Sequence, residues 1–135
     1  MKIVLDVSVA FALVRNQPGM QWIRQAIEAA DEVIVPDLYI SEASNTAWKF
    51  YHIEDASLEE IQLLANRSLA LPDQIIPSTE LWEEALLLAH SLDHPVYDCL
   101  YLALAQQESA HLLTLDKRLR KLATKLDIRL IQAPS

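Results

Sequence analysis

Glycine occurs once in the 135 residues, at Gly19, and cysteine once, at Cys99. A P-loop needs two glycines and a dinucleotide-binding turn needs three, because backbone must approach phosphate closely. Nucleotide cofactors held by a glycine-rich loop are therefore excluded. A lone cysteine rules out an internal disulfide and a zinc site built on several thiolates. Cys99 reads as a small buried hydrophobe. No uncharged apolar stretch approaches the ~18 residues that a bilayer span requires. At the N-terminus, Ile3-Val4-Leu5 is cut short by Asp6, whereas a secretory signal carries a longer apolar core and a small-residue cleavage site. These absences predict a cytoplasmic protein. Basic charge is scarce as well: 11 Lys and Arg stand against 19 Asp and Glu, a net charge of −8. That balance opposes nucleic-acid binding, whose phosphate contacts come mainly from Lys and Arg. Two features soften the objection. Bound cations would neutralise clustered acids, and Lys117, Arg118, Arg120, Lys121 and Lys125 are grouped within one segment.

What is present is apolar. Hydrophobic residues make up 52% of the chain, enough for one sizeable core and too many for a disordered segment. The length predicts a single domain, 1–135, within the usual range of ~100–200 residues. Lys2 to Asp6 reads as a short buried strand ending in an acid, and Val7 to Val14 as a helix. Asn16-Gln17-Pro18-Gly19 is the clearest break. Met20 to Ala30 has helical spacing, and Val33-Ile34-Val35 before Pro36 is a second buried strand. Asp37 opens a helix whose apolar stripe is Ile40, Ala43, Ala47 and Phe50 or Tyr51, with Glu42, Asn45, Thr46 and Lys49 on another stripe. Ser57-Leu58-Glu59-Glu60 matches a capping box, followed by a helix to about Leu71. Gln74-Ile75-Ile76 is a short strand, and Ser78 or Thr79 is expected to cap the helix carrying Leu81, Ala85, Leu88 and Leu92. Tyr97 to Gln107 is apolar almost all round and so buried on most sides. Leu112 to Leu115 is a strand ending at Asp116, Lys117 to Leu126 a basic helix, and Ile128 to Ile131 a last strand. Strands alternating with helices predict an α/β domain with a mostly parallel sheet.

In such a sheet, ligands bind beyond the carboxyl ends of the strands. Asp6 and Asp116 follow two of these strands, Asp98 heads the buried helix, and Glu42 lies one turn into the helix after the second strand. All four enter from one edge. Carboxylates gathered there repel one another, and divalent cations between them let them stay ionised. An all-oxygen set suits Mg²⁺ or Mn²⁺. Each acid also has a plainer reading. Asp116 fits a helix N-cap, Asp98 fits the positive end of a helix dipole, and Glu42 fits an exposed helix acid. Asp6 closes a buried strand, where an acid is costly without a partner; its plainer reading is a cap for the helix after it.

As a set these residues resemble a family. Asp6-Val7-Ser8, the helix Ile40-Ser41-Glu42-Ala43-Ser44-Asn45, the run Tyr97-Asp98-Cys99-Leu100-Tyr101-Leu102-Ala103-Leu104-Ala105, and Leu113-Thr114-Leu115-Asp116-Lys117-Arg118-Leu119 stand in the order and rough spacing of PIN domains. The chain looks most similar to VapC-type toxins of bacterial type II toxin–antitoxin modules, and the likeness spans Lys2 to Ile131. It implies a three-layer α/β/α sandwich and Mg²⁺- or Mn²⁺-dependent cleavage of RNA. It also implies a homodimer and an antitoxin partner. By that resemblance Asp6, Glu42, Asp98 and Asp116 form the acidic quartet, catalytic and metal-holding, and Ser8 and Thr114 support it. Cys99 departs from the more usual small residue, and the chain is more acidic than an RNA-cutting enzyme of this kind would suggest.

The remaining residues rank lower. His52, His90, His94 and His111 share no ligand-like spacing and read as surface or partly buried groups. Trp22, Trp48 and Trp82 read as core or dimer-interface residues. The basic face of Lys117, Arg118, Arg120 and Lys121 is either solvated or in contact with RNA or an acidic partner. Two rival functions are a catalytically inert PIN-like module that only binds a partner, and a phosphoaspartyl phosphatase or receiver domain. Phosphatases of that kind want a second Asp two residues after the first, where this chain has Ser8. A receiver wants an acidic pair near the first strand, where this chain has Asp6 alone.

Overall fold

The computed structural model describes residues 1–135. β1 (Lys2–Leu5) is followed by α1 (Val7–Val14) and α2 (Gln21–Ala29), and β2 (Glu32–Pro36) by α3 (Leu38–Glu54) and α4 (Leu58–Leu69). β3 (Gln74–Ile76) leads through a 3₁₀ turn (Ser78–Glu80) into α5 (Trp82–Leu92) and α6 (Val96–Gln107). β4 (His111–Leu113) and α7 (Lys117–Lys125) complete the order. The four strands pair in the order β3-β2-β1-β4, all parallel. No helix is long and apolar enough to cross a membrane.

Alternation along the strands builds the layers, because successive side chains point to opposite faces. Ile3, Leu5, Val33 and Val35 pack on one side with Val9, Phe11, Ile23, Tyr39 and Ala43 from α1, α2 and α3. Val4, Ile34 and Leu112 face the other way, onto Leu81, Ala85, the body of α6, and Leu119 and Leu122 of α7. The sheet is thus buried on both sides, an α/β/α sandwich. This explains why its strands are continuous hydrophobic runs. The two-face arrangement also follows from the connections. Successive parallel crossovers carry the chain outward from β1 to β2 to β3 with α1 to α4 on one face. The chain then returns past β1 to β4 with α5 and α6 on the other. The strand order therefore reverses between β1 and β4, the position where open α/β sheets bind ligands.

With so little glycine, reversals fall to other residues. Helix ends at Asn16, Asp55, Asp93, Ser109 and Asp127 take positive φ, a conformation that Asn and Asp tolerate better than most side chains. Gly19, at φ 79°, closes the break after α1. The capping box forms as expected: Ser57 Oγ accepts from the Glu60 amide at 3.1 Å and Glu60 Oε1 accepts from the Ser57 amide at 3.5 Å.

Four expectations are corrected. The segment Ile128 to Ile131 is not a strand. It makes one parallel bridge, Leu130 to Leu112, because it meets β4 only around Leu112, whose amide donates to the Arg129 carbonyl and whose carbonyl accepts from the Ile131 amide. β4 itself stops at Leu113. Thr114 turns its hydroxyl to Asp6, and the Leu115 amide donates to Ser8 Oγ at 3.2 Å instead of to a strand. Asp116 consequently lies beyond the strand, at the N-cap of α7. On α3 the buried stripe is Tyr39, Ala43 and Ala47, while Ile40 is 40% exposed and Tyr51 53%. A 3.6-residue period accommodates Tyr39 as readily as Ile40, and the Tyr39 hydroxyl secures its place by donating to the Ser68 carbonyl at 2.6 Å.

The fourth correction concerns Ser78, which caps no helix side chain to backbone. Its amide donates to Asp37 Oδ2 at 3.0 Å and its hydroxyl to Oδ1, so Asp37 clasps the segment after β3 to the start of α3. These bonds hold the Asp37 carboxyl below its ordinary value of 3.8, the Ser78 hydroxyl contributing most. A carboxyl depressed in the folded state stabilises the protein above its unfolded pKa, and that contribution is lost as pH falls through the lower folded value. Asp37→Ala should therefore lower the melting temperature at pH 7. Thermal melts from pH 7 to pH 3 should show the gap to the unmutated protein closing at the acid end, and a gap independent of pH would contradict the clasp.

Candidate active site

The β1/β4 crevice is bridged at its carboxyl edge. The Asp6 amide donates to the Leu113 carbonyl at 3.1 Å, the last backbone bond between the two strands. One step further, the wholly buried Thr114 donates its hydroxyl to Asp6 Oδ2 at 2.5 Å. Ser8, on the first turn of α1, donates to the same oxygen at 2.7 Å. Thr114 Oγ1 also accepts from the Asp116 amide at 3.0 Å, so one hydroxyl holds the first acid and the backbone of the fourth.

The other acids arrive on helices. Asp98 and Tyr101 sit three residues apart near the start of α6, hence on one face. The buried Tyr101 hydroxyl donates to Glu42 Oε1 at 2.5 Å, tying α6 to α3 across the sheet edge. His94 Nε2 lies 2.7 Å from Asp98 Oδ2. Asp116 Oδ1 accepts from the Arg118 and Leu119 amides at 2.8 and 3.2 Å. Its N-cap role is therefore real, and it occupies only one of the two oxygens.

The same pattern holds at all four acids. One oxygen is fixed by a donor of the fold: Asp6 Oδ2, Glu42 Oε1, Asp98 Oδ2 and Asp116 Oδ1. The second oxygen accepts from no side chain. The charges also feel one another. Burial pushes the Asp6 carboxyl above its ordinary range and Asp116 adds to the rise, while the Thr114 and Ser8 hydroxyls and the Ser8 amide oppose it. Burial likewise raises Glu42, with Asp6 and Asp98 adding to it and the Tyr101 bond working against it. Tyr101 is pushed up by burial and then by Glu42.

These couplings bring Asp6, Glu42, Asp98 and Asp116 into one neighbourhood. They do not form a closed cage, since no three His, Cys, Asp or Glu side chains converge tightly enough to hold an ion by themselves. Each carboxylate has its own anchor, and the anchors space the charges. The donor set nevertheless fits a hard divalent cation, with free carboxylate oxygens and mutual repulsion to relieve; Mg²⁺ keeps several of its waters and needs only one or two carboxylates.

Lys117, Arg118, Lys121 and Lys125 are exposed along α7. Arg120 is half-buried and donates to the Thr114 carbonyl at 3.3 Å. A surface groove of about 520 Å³ runs along Lys117, Arg120, Lys121, Thr124, Lys125 and Leu130. Composition and spacing did not single out His94 or Tyr101. Tyr101 sits in a run of apolar residues, and His94 lies outside any ligand-like pattern. The one signal available was the four-residue step from His94 to Asp98, which carries meaning only once α6 is known to begin between them.

The sequence profile of the PIN domain matches residues 3–125. The chain belongs to the PIN-domain family. Among curated relatives, ribonuclease VapC3 from Pyrobaculum aerophilum is 31% identical over 123 residues, which cover 88% of this PIN domain's chain and 92% of the relative. Among solved structures, PAE2754 from Pyrobaculum aerophilum superposes with a TM-score of 0.72 at 20% identity, covering 90% of this chain and 79% of that one. A toxin–antitoxin complex from Klebsiella pneumoniae has a TM-score of 0.58 at 21% identity, covering 86% and 88% of the two chains. At such identities the superpositions establish the PIN fold.

The raised carboxyl of Asp6 has a thermodynamic consequence. Above its folded pKa the native state carries a charge that the unfolded chain bears at less cost. Stability is therefore reduced there, and the penalty vanishes below the unfolded value near 3.8. An Asn side chain keeps an oxygen that can accept from Thr114 and Ser8 while removing the charge. With a chelator present, Asp6→Asn should raise the melting temperature at pH 7, and calorimetry should show the advantage shrinking as pH falls towards 4. A destabilised variant at pH 7 would show that the charge is compensated in some other way.

Proposed function

We propose that this protein is a metal-dependent endoribonuclease that hydrolyses RNA phosphodiester bonds, acting in the cytoplasm as the toxin of a toxin–antitoxin pair. The observation that carries the reading is the crevice between β1 and β4. There, four anchored carboxylates each keep one oxygen clear of side-chain donors. The 31% identity to a protein named ribonuclease VapC3 supports the RNA substrate. Likeness to a structure described as a toxin–antitoxin complex supports the partner.

In this reading Asp6 and Asp98 are the main holders of a Mg²⁺ or Mn²⁺ ion, with Glu42 and Asp116 beside them. Such an ion supplies an activated water and offsets the charge that develops on the phosphate. The protein's own groups do the positioning. Thr114 and Ser8 hold Asp6 Oδ2, so its other oxygen keeps a fixed direction. Tyr101 does the same for Glu42. The start of α7 serves twice, because the cap that Asp116 provides leaves the basic face of Lys117, Arg118, Arg120 and Lys121 next to the acids. This grouping meets the objection raised by the net charge of −8: the strand's phosphates would lie along α7 while the scissile one reaches the acids. No side-chain nucleophile is required.

Asp6→Asn and Asp98→Asn should each abolish cleavage of structured RNA in Mg²⁺ or Mn²⁺ while leaving the protein folded. If either Asp served only as a helix cap, Asn would replace it at little cost, since the two rank alike there. Gel assays with EDTA as control decide the matter. Cleavage by these variants at the unmutated rate, or full activity in EDTA, would overturn the mechanism, and metal binding without cleavage of any RNA would favour a partner-binding module instead. Cleavage should also weaken steeply with salt if α7 guides the strand.

We also propose a homodimer. Its support is the apolar surface left open on the helices: Trp82, Leu86 and Leu87 on α5 are 51%, 52% and 70% exposed, and Trp48 on α3 is 49% exposed. Light scattering at tens of micromolar protein should give twice the monomer mass. A monomer at that concentration would count against the proposal.

A further inference from the structure

His94 stands outside the acidic set, yet it is more enclosed than the acid it touches. Its side chain is 10% exposed against 31% for Asp98. Three features fix it there. Asp93 ends α5 in the left-handed conformation, and the His94 amide closes that turn by donating to the Ala89 carbonyl at 3.0 Å. Pro95, with φ −56°, then starts α6, so the backbone on both sides of His94 has little freedom. From this position the ring reaches one helical turn forward to Asp98. A carboxylate only accepts hydrogen bonds, so the Nε2 that meets Asp98 Oδ2 at 2.7 Å is the protonated nitrogen.

We propose that His94 is a positioning residue for Asp98. Its Nε2–H holds Oδ2 and thereby leaves the other carboxylate oxygen in a fixed direction for the ion that Asp98 would hold with Asp6. The roles in the usual carboxylate–histidine–metal arrangement are exchanged, with the imidazole behind and the carboxylate in front. The local geometry calls for such a hold. Asp98 is the one acid of the four that takes no hydroxyl or backbone donor, and Asp98 and Glu42 repel each other across the site. Without His94, Asp98 is free to rotate outward to solvent and lower that repulsion.

This inference rests on the metal-dependent reading, and its test is a measurement that needs no catalysis. Mn²⁺ affinity is measured by calorimetry for the unmutated protein and for His94→Leu, His94→Gln and His94→Asn. Leu fills much of the space but donates nothing. Gln carries an N–H at the same number of bonds from Cβ as Nε2, and Asn falls one bond short. Loss of an orienting partner behind a metal ligand costs about 10- to 100-fold in affinity, so His94→Leu and His94→Asn should bind Mn²⁺ at least about 10-fold more weakly. His94→Gln should recover most of the loss. In the nuclease assay the fall should appear in kcat, with KM for RNA little changed. Should His94→Leu fail to fold, the Gln and Asn pair decides alone. Equal Mn²⁺ affinity in all variants, even with a lowered melting temperature, would reduce His94 to a packing residue and overturn the proposal, as would an unmutated protein that binds no Mn²⁺. An unmutated protein that binds Mn²⁺ but cuts no RNA refutes the ribonuclease reading, and the affinities still decide the role of His94.

Discussion

Repulsion among carboxylates held at one edge of a parallel sheet is the constraint around which this molecule is arranged. Asp6 cannot be moved away from that edge, because it terminates the central strand pair and its amide makes the last bond to Leu113. Glu42, Asp98 and Asp116 are brought beside it by three helices whose packing is set by the hydrophobic layers on either side of the sheet. Uncompensated, such a gathering is costly: burial raises the carboxyls of Asp6 and Glu42, and the neighbouring acids add to the rise. The fold answers with donors at every acid: two hydroxyls at Asp6, a phenol at Glu42, an imidazole at Asp98 and two amides at Asp116. Every one of these donors comes from an element that also belongs to the core or caps a helix, so the site and the scaffold are secured by the same contacts.

The scarcity of glycine shapes the rest of the chain. Helices that end in a sharp reversal commonly use glycine, which supplies the positive φ. Here Asp55, Asp93 and Asp127 take that conformation. Part of the acidic net charge is thus spent on chain reversal, away from the quartet. Asp93 links this economy of backbone to the site, because the turn it makes delivers His94 to Asp98. Asp37 is another acid with a mechanical role, clasping the segment after β3 through Ser78.

A good deal was legible from residue order. The strands β1, β2 and β3, the helices α1, α2, α4, α6 and α7, and the capping box at Ser57 follow from apolar periodicity and local capping chemistry, which act over a few neighbouring residues. The segments misread were those where a distant partner overrode a local preference. Ser78 would cap a helix, but the bonds of its amide and hydroxyl to Asp37 hold it inside the 3₁₀ turn, ahead of the helix start. Leu115 would extend a strand, but its amide turns to Ser8. Ile128 to Ile131 has strand composition, and it meets the sheet only at Leu112.

The acids of the candidate site could be picked out because strand ends and helix starts are visible in one dimension, and because their order along the chain matches that of PIN domains. Of their supports, Ser8 and Thr114 came only with that likeness, and Tyr101 and His94 not at all. A hydrogen bond from Tyr101 to Glu42 spans 59 positions in the chain, and one from Thr114 to Asp6 spans 108. Residue order contains no term for such pairs until the sheet order and helix packing are known. Local sequence determined which elements form and which carboxylates lie at their ends. Only the packed chain decided which oxygen of each carboxylate is tied down and which is left to act, because that depends on donors brought close by tertiary contact.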